Sequence, residues 1–543
     1  MAKMIAPSAL ALMLERQDTC ALFDVREHGE YNTAHISGAS AVPRRQLEFR
    51  LGRLVPFRGT PVIVYDDTGP RAELAATTLE HMGYTNVSVL EGGINRWASE
   101  GHEAEWGMNV PSKDFGEKMQ VVHDIPEMHP LELQARMSEG ENIVLLDSRT
   151  PEEHRHSTIP GSRSAPGGEL ALRIAELAPD PDTMVVVHCA GRTRSITGAR
   201  VLQRMGGRKI YDLQNGTMGW RMAGLELEYG SQRLELPAPT ADGLAGAEAF
   251  ASAIAEEDGV QYIGVPQLQA LTARAGSENV YLIDVRTQAE YAAGHIPGFQ
   301  WSPGGQAVQR TDDLVAVKNG HVVFACDGRV RATQTASWYR LMGFPNVYAL
   351  EGGTTAWQAA GEVLAGTAAE SGAGGYDEGL TDAFPFGYEA AHNAVTTVSP
   401  GELAKRLSSE QPPRMLHVGT SREFSHGHIG GASWITRSWL ELQVADAVPS
   451  KATAVVVTCR DGLNAMLAGV TLTNLGYQHV CVLDGGTIAW KQAGHPLDSG
   501  LSGIAKPPDD VVYMGTDQNW SGAIHYLQWE EELGMKYAPG QTS

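Results

Sequence analysis

The tightest constraint on this chain is internal: one block of sequence occurs four times, and a repeat sets the number of cores before any element is assigned. An apolar run ends at Leu22-Phe23-Asp24-Val25-Arg26, and again at Leu145-Leu146-Asp147-Ser148-Arg149, Leu282-Ile283-Asp284-Val285-Arg286 and Met415-Leu416-His417-Val418-Gly419. Eleven residues after the Asp or His come His35-Ile36-Ser37-Gly38, Thr158-Ile159-Pro160-Gly161, His295-Ile296-Pro297-Gly298 and His428-Ile429-Gly430-Gly431. At an offset of 42, beyond a second apolar run, stand Asp66, Cys189, Cys326 and Cys459. No gap is needed in any copy.

Three more positions keep their offsets. Gly83, Gly206, Gly343 and Gly476 read as glycines closing a helix, and Gly93, Gly216, Gly353 and Gly486 follow ten residues later. Trp97, Trp220, Trp357 and Trp490 read as core anchors of a terminal helix. Short β-rich runs at 62–65, 185–188, 322–324 and 455–457 alternate with helical patterns. That order predicts an α/β fold of four tandem domains, each a mostly parallel sheet flanked by helices. The boundaries fall at 1–108, 119–235, 250–368 and 386–505, with a Gly/Ala/Ser-rich flexible linker at 366–375. Residues 506–543 form a C-terminal extension outside the repeat, and Trp520, Tyr526 and Trp529 mark it as a segment that docks on a folded surface.

Charge narrows the function. Asp and Glu number 64 against 42 Lys and Arg, a formal −22, which repels nucleic-acid phosphates and acidic membrane surfaces. The apolar stretch at residues 9–14 ends at Glu15 and Arg16, too short for a membrane span, and with only Lys3 charged before it and no small-residue cleavage site after it, no secretory signal is expected. Five widely spaced cysteines suggest neither a disulfide framework nor a zinc site, so reduced thiols in the cytoplasm are expected, with no metal and no cofactor.

The loops carrying chemistry are Cys189-Ala190-Gly191-Arg192-Thr193-Arg194, Cys326-Asp327-Gly328-Arg329-Val330-Arg331 and Cys459-Arg460-Asp461-Gly462-Leu463-Asn464. A cysteine between the carboxyl end of a parallel strand and a helix N-terminus faces converging N–H groups, which predicts a favoured thiolate. Gly191, Gly328 and Gly462 are expected to let the backbone curl around the sulfur. Arg192, Arg194, Arg329, Arg331 and Arg460 are expected to draw in an anionic sulfur donor. Cys20 and Cys481, in or beside strands, read as structural.

Together, the Asp-x-Arg strand end, the His-Ile-Pro-Gly turn, the Cys loop and the Glu-Gly-Gly…Trp ending resemble the rhodanese family over nearly all of residues 1–505. The resemblance implies a sulfurtransferase of the thiosulfate type. Cys189, Cys326 and Cys459 would each take sulfane sulfur from a thiosulfate-like anion, hold it as a persulfide and pass it to a thiol, cyanide or a sulfur-accepting protein. Arginines would stabilise departing sulfite.

Departures rank the repeats. Asp66 replaces cysteine in the first, which is expected to be inactive. His417 and Gly419 replace the Asp-x-Arg pair in the fourth, whereas Asp147 with Arg149 and Asp284 with Arg286 are read as fold-supporting ion pairs. Arg192 and Arg194 look unopposed, which ranks Cys189 first. Pro166-Gly167-Gly168 and Pro303-Gly304-Gly305, matched by Pro43-Arg44-Arg45 and Thr436-Arg437-Ser438, either border the pocket or form turns without a functional role. A non-catalytic or persulfide-carrier array that binds partner proteins is the alternative. A rhodanese-fold phosphatase fits less well, because its loop places Arg sixth after Cys, where Ser195, Ala332 and Ala465 stand.

Overall fold

The computed structural model describes residues 3–366, 384–504, 506–512 and 519–538. Each repeat forms a five-stranded sheet in which the strands lie in the order first, fifth, fourth, second, third. Every ladder is parallel, as where Ile143–Asp147 pairs with Met184–His188 and Val280–Asp284 with His321–Ala325. Continuous apolar strands such as Met184–His188 are buried along their whole length, which requires helices on both faces. Most of the linker expected at 366–375 lies outside the described residues.

The repeated motifs hold these layers together. Each tryptophan is buried, and its indole N–H donates to a carbonyl six residues on: Glu103 (2.8 Å), Glu226 (2.9 Å), Val363 (3.2 Å) and Pro496 (2.8 Å). Gly83, Gly206, Gly343 and Gly476 all have positive φ at their helix ends. Arg149 clasps Asp147 with Nε and Nη2 at 2.8 and 2.7 Å, then donates to the Ser157 carbonyl at 2.6 Å. Arg26 with Asp24 and Arg286 with Asp284 repeat the arrangement. In the fourth repeat it is gone: buried His417 has no hydrogen-bond partner on either ring nitrogen among the described residues, and burial pushes its pKa down to about 3.

The repeats pair within two compact units, Met1–Met108 with Ser371–Val512, and Asn109–Glu370 with Tyr513–Ser543. In the first unit Arg44 reaches Glu441, while its counterpart Arg437 reaches Glu48 at 2.8 and 2.6 Å. In the second, the two Pro-Gly-Gly segments meet. A Cβ on Gly168 would lie 3.1 Å from Gly304 Cα, and Gln334 donates to the Gly167 carbonyl at 2.9 Å. These segments are therefore joints between repeats, which neither reading of them anticipated. The extension forms the helix Trp520–Met535. It docks on the helix Val110–His123, with Lys113 Nζ 4.6 and 4.9 Å from the Tyr526 and Trp529 rings.

Among the described residues, no helix is long and apolar enough to cross a membrane.

Candidate functional site

In every repeat the fourth strand of the sheet ends one residue before the loop position, and a helix of about three turns begins a few residues after it: Pro70–His81, Thr193–Met205, Val330–Leu341 and Leu463–Asn474. The first turn of such a helix leaves backbone N–H groups without intrahelical partners, and the loop aims them inward. In the first repeat they close on the Asp66 carboxylate. It accepts from the amides of Thr68 (3.0 Å), Arg71 (2.7 Å) and Ala72 (3.4 Å), and from Gly69 as well. In the other three, sulfur takes the place of that carboxylate. Gly462 N–H donates to Cys459 Sγ at 3.2 Å, the Ser195 hydroxyl to Cys189 Sγ at 3.4 Å, and the amides of Gly328 and Ala332 face Cys326.

The offset-27 glycine makes this cradle possible. A Cβ on Gly93, Gly216, Gly353 or Gly486 would collide with the carbonyl oxygen of Asp66, Cys189, Cys326 or Cys459, and all four have φ between 50° and 59°, where only glycine is at ease. The glycines expected to curl the loops play a smaller part. Gly462 alone of the three has positive φ, at 93°. A Cβ on Gly191 would instead meet Met218 at 2.9 Å, with Glu530 and Leu527 of the C-terminal helix 3.5 and 3.7 Å away.

Residues 6–100, 129–223, 267–360 and 399–493 match the rhodanese-like domain family. The chain belongs to that family. It is 35% identical to the crystal structure of a thiosulfate sulfurtransferase from Pseudomonas aeruginosa, with a TM-score of 0.87, covering 98% of this chain and 97% of that one. Over 213 residues, 32% of this chain, it is 25% identical to a thiosulfate sulfurtransferase of Azotobacter vinelandii, covering 78% of that protein. An HTH-type transcriptional regulator of Mycobacterium tuberculosis is 38% identical over 101 residues, 18% of this chain, and only 43% of its length is spanned. The sulfurtransferase relatives support rhodanese-like sulfur transfer.

Two expectations for the rhodanese loops need correction. The first is charge. Arg192 is not unopposed: it binds Glu117 at 2.6 and 2.9 Å, with Glu127 at 3.2 Å. Arg329 donates to Ser252 Oγ at 2.6 Å. Arg194 is paired twice with Glu153, at 2.7 and 2.8 Å. Arg331 holds Glu290, Glu169 and Asp327, each within 2.8 Å. The Glu partner is the capping-box residue of the helix after the Asp-x-Arg turn, Glu30, Glu153 or Glu290, so one side chain caps a helix and anchors the loop arginine. In the fourth repeat Asn464 replaces that arginine, and Arg460 is exposed.

The second correction concerns the thiols. All three cysteines are buried, at 3%, 0% and 2% exposure, and burial raises their pKa instead of favouring the thiolate. For Cys189 the effect is partly offset by Arg194 and by the Ser195 hydroxyl. Cys326 is pushed up to about 11 by burial, with Arg331 lowering and Asp327 raising it. Cys459 is raised well above the usual thiol range by burial, then by Asp461 and Glu423. Cys20 and Cys481 are half-buried free thiols, and Cys481 Sγ accepts from Arg406 at 3.4 Å.

Sequence reasoning missed Asp212. It sits on the fully parallel strand Ile210–Leu213, wholly buried, with no full hydrogen bond to either carboxyl oxygen among the described residues, although the Ser195 side chain is near enough to oppose the effect of burial, and its charge bears on Cys189. Burial pushes its pKa well above the usual carboxylate range. The repeat itself held the signal, since Val89, Ala349 and Val482 occupy the corresponding positions.

Proposed function

We propose that this chain is a thiosulfate-type sulfurtransferase working through persulfides on Cys189, Cys326 and Cys459. The carrying observation is the first repeat, where the cradle amides hold the Asp66 carboxylate. A loop that binds a carboxylate in one repeat is suited to a negatively charged persulfide in the others.

The resting thiols are protonated, so the first step moves a proton as well as sulfur. The cysteine sulfur bonds to the outer sulfur of thiosulfate, the bond from that sulfur to the sulfonate sulfur breaks, and hydrogensulfite leaves with the thiol proton. The new persulfide is an anion held by loop amides. In the second step an acceptor thiol gives its proton to the persulfide's outer sulfur as its own sulfur bonds there, the bond between the two persulfide sulfurs breaks, and the cysteine departs as thiolate. Arg194 and Arg331, already neutralised by Glu153 and Glu290, act mainly by shaping the loop and tempering thiol pKa. Asp66 cannot take sulfur, so the first repeat supports its neighbour without carrying cargo. The soluble partners are a sulfane donor and a thiol or cyanide acceptor, in the cytoplasm.

Intact-protein and peptide mass spectrometry after thiosulfate treatment tests this reading. One added sulfur on each of the Cys189, Cys326 and Cys459 peptides is expected. Sulfur on Cys20 or Cys481 in place of the loop cysteines would overturn it, and no uptake at any loop cysteine would favour a non-catalytic array.

A further inference from the structure

A cavity of about 530 Å³ opens beside the Cys459 loop, walled by Arg460 and by Thr487, whose amide bonds the Cys459 carbonyl at 2.9 Å. Its cationic side chains are Arg422, Arg460 and Lys491, with Arg45 held by Glu27 at 3.2 Å in the wall, and its acids are Glu423 and Asp510. On a chain of formal charge −22, such a cluster makes a local sink for anions.

The repeat shows that the full cluster occurs at one site, and that the second repeat keeps part of it. At the positions of Arg422, His426, Arg460 and Lys491, the third repeat has Ala289, Ala293, Asp327 and Gln358, and the first has Gly29, Thr33, Asp67 and Ala98. The second has Glu152, His156, Ala190 and Arg221. Arg45 comes from the first repeat, so the copy lacking a cysteine supplies part of the wall beside the fourth repeat's cysteine.

Size and charge pattern together select the occupant. Thiosulfate would leave most of the cavity empty, whereas volumes of roughly 300–1,000 Å³ suit multi-group organic ligands. Asp510 adds a requirement of the opposite sign. Its Oδ2 accepts from Ser421 N–H at 2.6 Å, while its buried Oδ1 has no partner among the described residues, a place for an ammonium group. We propose that the cavity binds the acceptor of the fourth repeat, a peptide-sized thiol carrying carboxylates and an ammonium group. Its carboxylates lie against Arg422, Arg460 and Lys491, its ammonium against Asp510. Its thiolate bonds to the outer sulfur of the Cys459 persulfide, the Cys459 sulfur leaves as thiolate, and the product is the acceptor's persulfide.

This inference rests on the sulfur-transfer reading, so its test has a transfer arm and a binding arm. The full chain with Cys189→Ser and Cys326→Ser is loaded with thiosulfate, and sulfur transfer is timed to glutathione, 2-mercaptoethanol and cysteamine at equal thiolate concentration. Saturable transfer with a preference for glutathione is expected, and Arg422→Ala or Lys491→Gln should each cut that preference about tenfold, the weight of a charge-assisted contact. Both side chains are exposed, so the variants keep the core. Titration calorimetry with S-methylglutathione, which cannot accept sulfur, reads binding alone, and the same variants should weaken it about tenfold. Equal, non-saturating transfer to all three thiols, or S-methylglutathione binding unmoved by both variants, overturns the proposal. Binding of S-methylglutathione without any sulfur on Cys459 would retain the ligand class and count against sulfur transfer at this site.

Discussion

Arg437 grips Glu48 through both terminal nitrogens, at 2.8 and 2.6 Å, and the exchange is reciprocal, because Arg44 holds Glu441 from the corresponding positions. Glu48 feels two opposed effects: burial raises its pKa, the Arg437 guanidinium outweighs that, and the net shift is downward. Arg437→Ala leaves a half-buried carboxylate without its bidentate partner, and unfolding of the first unit should become easier by about 2 kcal/mol at pH 7. A lowered folded pKa contributes stability above the unfolded value of about 4.3 and loses it as pH falls through the folded pKa. The gap between wild type and variant in denaturant unfolding should therefore shrink below about pH 4. An equal gap at pH 7 and pH 3.5 would show that packing, not charge, carries the joint.

Asp66 caps its helix with several amides, so Asp66→Ala should cost about 1–2 kcal/mol in thermal or denaturant unfolding. The sulfur loaded per chain from thiosulfate should stay at the wild-type value by mass spectrometry. A loss of loading equal to one site would mean that the first repeat takes part in the chemistry.

Cys326, with its pKa pushed up to about 11, is a thiol at neutral pH. In a Cys189→Ser, Cys459→Ser chain, iodoacetamide labelling of the Cys326 peptide should be slow at pH 7 and climb through about pH 9 to 11, above the roughly 8.5 of a free thiol. Half-maximal reactivity at or below about pH 8 would show that the cradle amides outweigh burial.

Asp212 has the opposite linkage to Glu48. A carboxyl whose folded pKa is raised contributes stability below the unfolded value of about 3.9, and that contribution is lost as pH rises toward the folded pKa. Asp212→Val, the residue found at 89 and 482, should therefore stabilise the second unit at pH 8, with the gain fading toward pH 4. Denaturant unfolding at both values checks it, and a variant less stable than wild type at pH 8 would reveal a partner for the carboxylate.

Sequence alone determined the four parallel sheets, the cysteine positions, the Asp66 that stands at the cysteine position of the first repeat, and the buried tryptophans. The reason is physical locality: an Asp-x-Arg clasp spans two residues, a capping box three, and the glycine against the loop carbonyl recurs at one offset in each copy. Such contacts repeat wherever the block repeats, so aligning the chain with itself exposes them. Only the tertiary structure decided which charges remain available. Arg192 looked free beside Cys189 until folding brought Glu117 from 75 residues away. Arg331 meets Glu169 of the preceding repeat, and Arg45 reaches the cavity of the fourth. A side chain's charge is written in the sequence, but its neutralisation depends on long-range partners and burial. The same burial turned an expected thiolate into a thiol.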